Sequence, residues 1–112
     1  MVRILIERDQ EGQVKRVSIK GHAGYAEPGR DIVCAAISGI SIGMVNAIEK
    51  LTGVQVHSDL DHEGKMNCQI PANVNDPKVI DQIHLLLEAM ILSLEQVADE
   101  APDFVKIKEK RK

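Results

Sequence analysis

Asp31-Ile-Val-Cys-Ala-Ala-Ile-Ser-Gly-Ile-Ser-Ile-Gly-Met-Val-Asn-Ala-Ile-Glu-Lys-Leu-Thr-Gly53 is the stretch on which the fold turns. It opens on Asp, a favoured N-cap, and closes on Gly, the residue that most readily ends a helix. Between them Val33, Ile37, Ile40, Met44, Ile48 and Leu51 fall at steps of three and four, which predicts a helix with one apolar face. Ile32 to Ile48 carries no charge. A membrane-spanning helix needs about 20 predominantly apolar residues, and Ser38, Ser41 and Asn46 interrupt this run, so a buried core helix is the better reading. Gly39 and Gly43 inside it each cost roughly 0.8–1 kcal/mol relative to Ala. Small residues at that spacing admit another backbone, either the protein's own sheet or a second subunit.

Upstream, Val2 to Arg8 alternates Val2, Ile4 and Ile6 against Arg3, Leu5 and Glu7, the period of a strand. A polar turn at Asp9-Gln10-Glu11-Gly12-Gln13 leads to a second strand, with Val17 and Ile19 alternating against Arg16, Ser18 and Lys20, so the pair reads as a β-hairpin. Gly21 to Arg30 loses all periodicity and is punctuated by Gly21, Gly24, Pro28 and Gly29, which marks a loop.

Downstream, Val54 to His57, a turn at Asp61-His62-Glu63-Gly64 and Lys65 to Ile70 read as a second hairpin. Asp76 caps a second long helix with Pro77 at its first position, and Val79, Ile80, Ile83, Leu86, Leu87, Met90, Ile91, Leu94 and Val97 form its apolar stripe. Pro102 ends it, and Phe104 to Lys108 forms a closing strand. The fold class is therefore α+β: a single-domain sandwich over residues 1–112, a mostly antiparallel sheet with two long helices, in the order ββαββαβ.

Composition narrows the function. A net charge of −3 disfavours general phosphate neutralisation, and one Tyr and one Phe are too few for a base-stacking platform, so direct nucleic-acid binding is not expected. The basic tail Lys106 to Lys112 reads as a solvated end. The N-terminus Met-Val-Arg-Ile-Leu-Ile-Glu has no signal core, and Cys34 and Cys68 form no disulfide framework, which points to a reducing cytoplasm.

The chemistry lies at the start of the first helix. With Asp31 as N-cap, Cys34 takes the third helical position, where amide N–H groups and the positive end of the helix dipole favour a thiolate. Amides there are also candidates to hold an oxyanion. His22 ends a strand, and the loop between the two can fold back so that an imidazole takes the thiol proton. The carboxylate of Asp31 opposes thiolate formation unless capping or His22 engages it. The same spacing also suits a small hydrophobic Cys and a polar strand-end His.

The run Gly21-His22-Ala23 followed by Gly29-Arg30-Asp31-Ile32-Val33-Cys34-Ala35-Ala36-Ile37-Ser38 resembles the signature of the bacterial ribosomal-processing cysteine protease family, Prp. Chain length and element order are similar to that family's as well. The resemblance implies a cysteine endopeptidase that removes the N-terminal extension of a large-subunit ribosomal protein, after an aromatic residue, and acts as a homodimer without a cofactor. It matches Cys34 to the nucleophile and His22 to the base, with Asp31 and Ser38 in supporting positions. Ser38 lies one turn after Cys34, placed either to bond into the site or back to the Cys34 carbonyl. Gly24 and Gly29 suit a substrate-covering loop, and Tyr25 is a candidate wall for the aromatic residue.

Two other readings compete. His57, His62 and Cys68, joined by His22 and Cys34, suggest a zinc site, but they lack the paired spacing such sites use, and Cys68 alternates with Met66 and Ile70 as a core residue. A non-enzymatic ribosome-assembly factor would leave Cys34 replaceable.

Overall fold

A computed structural model describes residues 1–21, 31–58 and 65–112 of the chain. The elements are β1 (Val2–Arg8), β2 (Val14–Lys20), α1 (Ile32–Thr52), β3 (Met66–Gln69), α2 (Pro77–Glu100) and β4 (Val105–Arg111). They form one four-stranded sheet in the order β3-β2-β1-β4. β2 runs antiparallel to both β1 and β3, while β4 lies parallel to β1, so the sheet is mixed.

The β1–β2 turn is closed by the Asp9 carboxylate, which accepts from the amides of Glu11 and Gln13 at 2.9 and 3.0 Å. Period-two alternation then puts Val2, Ile4, Ile6, Val17, Ile19, Met66, Cys68 and Val105 on one sheet face, where both helices cover them. From α2, Ile83, Leu87, Met90, Ile91 and Leu94 complete this core. Burying an aliphatic side chain of this kind contributes about 1.5–3 kcal/mol.

Four details depart from the sequence reading. Val54 to His57 is not a full strand: it meets β3 only around the His57–Cys68 bridge, through Ser58 N–H to Asn67 O and Gln69 N–H to Val56 O. The described order is therefore ββαβαβ, and the expected turn at 61–64 falls outside the described residues. The buried face of α1 is Val33, Ile37, Ser41, Val45 and Ile48, so the stripe turned to the sheet is rotated from the expected one toward Ser41 and Val45. Ile40 and Met44 are half-buried at its flank and Leu51 is 72% exposed. Gly39 and Gly43 face open space instead of the sheet, since a Cβ at either would meet nothing within 4 Å.

The basic tail is the fourth correction. Pairing with β1 holds from Val2–Val105 through Arg8–Arg111, so the closing strand expected to end at Lys108 runs on to Arg111, with its lysines still exposed. Charge reinforces this edge. The Arg8 guanidinium binds both carboxylate oxygens of Glu88 on α2, donates to Glu109 of β4 at 2.9 Å and to the Gly12 carbonyl at 3.0 Å. Those carboxylates hold the guanidinium firmly in its charged form.

Candidate active site

The start of α1 is built by its cap. Asp31 has extended backbone angles, and its Oδ1 accepts from Val33 N–H at 3.1 Å and Cys34 N–H at 3.0 Å; its carbonyl accepts from Ala35 N–H at 3.0 Å. Amides that would otherwise be left over at a helix start are thus bonded. The cap places Cys34 at the third helical position, half-buried, with its side chain packed against the core cluster.

This geometry settles one tension and removes one option. The Asp31 carboxylate is engaged by the helix start, which takes up part of its negative charge beside the sulfur. The same bonds occupy the Val33 and Cys34 amides, so these two are not the oxyanion donors that the sequence reading entertained. Ser38 is exposed one turn beyond Cys34, and the hydroxyl back-bonds along this helix come from Ser41 to the Ile37 carbonyl at 2.7 Å and Thr52 to the Ile48 carbonyl at 2.6 Å.

His22, Gly24, Tyr25 and Gly29 lie outside the described residues. What is described is the anchor immediately before His22. Gly21 follows β2 with φ of +94°, and a Cβ there would overlap the carbonyl oxygen of Met1. Only glycine accepts both the left-handed backbone and the close approach. Sequence reasoning counted Gly21 as loop punctuation; its position directly between a strand and the candidate base was the signal to look further.

Cys68 and His57 pair with each other through an isolated bridge beside β3. Cys68 is fully buried on β3, and burial pushes its thiol up to about 11. Among the described residues no group of three His, Cys, Asp or Glu side chains is placed to hold a metal ion.

Comparison with known proteins places this arrangement. A family model described as cysteine protease Prp matches residues 1–106. The ribosomal processing cysteine protease Prp of Bacillus subtilis is 31% identical over 108 residues, covering 96% of both chains. A crystal structure of an essential ribosomal processing protease Prp from S. aureus, in complex with a covalently linked product peptide, superposes with a TM-score of 0.84 at 31% identity, covering 98% of this chain and all of that one. A second S. aureus structure, with a substrate peptide, gives a TM-score of 0.80 at 30% identity, over 98% of this chain and 100% of the other.

Proposed function

Because the chain belongs to the Prp family of cysteine proteases, and is itself a cysteine protease, we propose that it removes an N-terminal extension from a large-subunit ribosomal protein, with Cys34 as nucleophile and His22 as base. The observation that carries this reading is a half-buried thiol at the amino end of α1, at the position the family signature assigns to its nucleophile.

The Cys34 sulfur attacks the scissile carbonyl carbon while its proton passes to the His22 imidazole. Collapse of the tetrahedral adduct breaks the C–N bond, the leaving amine takes the proton from His22, and the acyl group stays on sulfur as a thioester. Water, deprotonated by His22, hydrolyses the thioester and restores the thiol. The dipole of α1 favours the anionic sulfur, and Asp31 supports the reaction by fixing where that helix begins. With the Val33 and Cys34 amides committed to Asp31, the adduct's oxygen takes its donors from elsewhere in the site. Tyr25, Gly24 and Gly29 are the loop positions assigned to the substrate.

Two further parts of the reading concern assembly and place. The outward stripe of α1 carries Ile32, Gly39, Ile42 and Gly43, and that of α2 carries Leu85 and Leu92; Ile32, Leu85 and Leu92 are each at least 65% exposed. Small and apolar surface of this kind supports a homodimer joined through the helix layer. The two thiols suit a reducing cytoplasm.

Incubation with a ribosomal protein carrying its extension tests the proposal. Wild type cleaves, and Cys34→Ala and His22→Ala do not; undiminished cleavage by Cys34→Ala would end it. Sedimentation of Leu85→Asp/Leu92→Asp tests the dimer, which should become monomeric.

A further inference from the structure

The helices cover only one face of the sheet. On the other face β1 and β2, with β3 and β4 beside them, form a shallow depression of about 690 Å³. Alternation along each strand sends the cations there. β1 contributes Arg3, β2 contributes Arg16 and Lys20, and β4 contributes Lys106, Lys108 and Lys110, all exposed. No carboxylate lines the depression among the described residues. With Lys65, just before β3, seven of the chain's 14 Lys and Arg side chains line this depression, although the net charge is −3. Glu7 stands opposite Arg16 and Lys110 at the far end of this face and accepts from Lys112 at 3.2 Å, leaving the Arg3, Lys20 and Lys106 end without a carboxylate in the lining.

The register makes this arrangement costly to the fold. Arg3 is the direct partner of both Lys20 and Lys106, so three cations stand in one row across β2, β1 and β4. Directly opposed like charges destabilise a sheet. The arrangement suits an anionic ligand that relieves the repulsion. Alternate residues on a strand repeat at about 6.6–6.8 Å, so Lys106, Lys108 and Lys110 form an even cationic ladder, comparable in pitch with successive phosphates along one nucleic-acid strand.

We propose that this basic sheet face docks the phosphate backbone of RNA, holding the enzyme against the RNA-containing particle in which its substrate is assembled. The choice of RNA over other polyanions rests on the ribosomal reading above; the charge geometry stands without it. No aromatic side chain lines the depression, so recognition is through phosphates and not bases. A second copy of the chain is a poor occupant, since it would press like charges together.

Fluorescence anisotropy with a labelled, mixed-sequence 20-nucleotide RNA tests the proposal. Wild type binds at 50 mM salt and weakens by about 10³-fold at 200 mM, as expected when about seven phosphates of a single strand are neutralised. Lys106→Gln/Lys108→Gln/Lys110→Gln, all exposed positions, weakens binding about tenfold or more and lowers the log–log salt slope by about 2–3. Its cleavage of an isolated substrate peptide stays at the wild-type rate. Failure of wild type to bind at 50 mM salt, unchanged affinity in the triple variant, or equal competition by poly-L-glutamate of matched charge would each overturn the proposal. Because cleavage is read separately, a protease that ignores RNA refutes this inference alone, and an RNA binder without cleavage refutes only the proteolytic reading.

Discussion

Replacing Asp31 by Ala removes the oxygen that holds the first turn of α1. Two amide bonds are lost, at 3.1 Å to Val33 and 3.0 Å to Cys34. Loss of an N-cap side chain costs about 0.5–2 kcal/mol, and with two bonds at stake we expect about 1–2 kcal/mol. The second helix supplies an internal control. Asp76 accepts only from Lys78 N–H, at 3.0 Å, and Pro77 pre-sets the first helical residue, so Asp76→Ala should cost less, about 0.5–1 kcal/mol. Urea denaturation followed by far-UV circular dichroism reads both. With a slope of about 1.5 kcal/mol per M, Asp31→Ala lowers the midpoint by about 1 M at unchanged slope. Asp31→Asn, an equally good cap without the charge, should stay near wild type in stability. If Asp31→Asn falls as far as Asp31→Ala, or Asp76→Ala falls further, the capping argument is wrong. The Asn variant also reports on catalysis: normal cleavage would show that no carboxylate is needed at that position to orient His22.

Gly21→Ala should cost about 1–3 kcal/mol and abolish cleavage, because the added methyl meets the Met1 carbonyl at a positive φ; thermal melts and the peptide assay check both. Arg8→Met leaves Glu88 and Glu109 without their cation; with both carboxylates partly solvated, the loss is about 1–2 kcal/mol by urea titration. Iodoacetamide should alkylate Cys34 in the native protein and reach Cys68 only after unfolding, read by intact mass. Burial raises the Cys68 thiol to about 11 from a reference of 9.0, so its contribution is complete below pH 9 and is lost as pH rises toward 11; Cys68→Ala should flatten that alkaline decline. Glu7 shifts the opposite way, held down by its bond from Lys112, so its contribution is present above the usual carboxylate range and disappears as pH falls through its lowered value. Lys112→Met should remove that acid-side dependence in a pH series of melts.

Much of the helical layer was legible because its punctuation is chemical. Asp31 and Gly53 mark the ends of α1, and Gly53 indeed closes it in the left-handed conformation with its amide on the Glu49 carbonyl at 2.8 Å. Asp76 and Pro77 mark the start of α2, and Pro102 follows its end. The sheet was less legible where tertiary pairing decides. Val54 to His57 has strand-like residues but little of it pairs, whereas the charged tail becomes strand because β1 offers it a free edge along its whole length. Arg8 read as a polar strand end until the fold brought Glu88 and Glu109 to it. Cys34 and Asp31 could be placed because a capped helix start fixes position in three dimensions from local sequence. Gly21 could not, since its constraint comes from Met1, a contact no local window contains. Net charge carries no information on placement: −3 is a sum over a molecule in which half of the 14 Lys and Arg side chains line one sheet face.

The parallel pairing of β1 with β4 has a bearing on biosynthesis. On a translating ribosome β1 finds its outer neighbour β4 only after both helices and every intervening loop have been made. Until then Ile4 and Ile6 sit beside an unpaired backbone edge, the kind of surface that recruits stray strands. Closure over so long a span is slow, so a nascent chain of this protein should lean on chaperones until β4 has emerged, and truncation within residues 105–111 should send it to inclusion bodies and not merely lower its melting point.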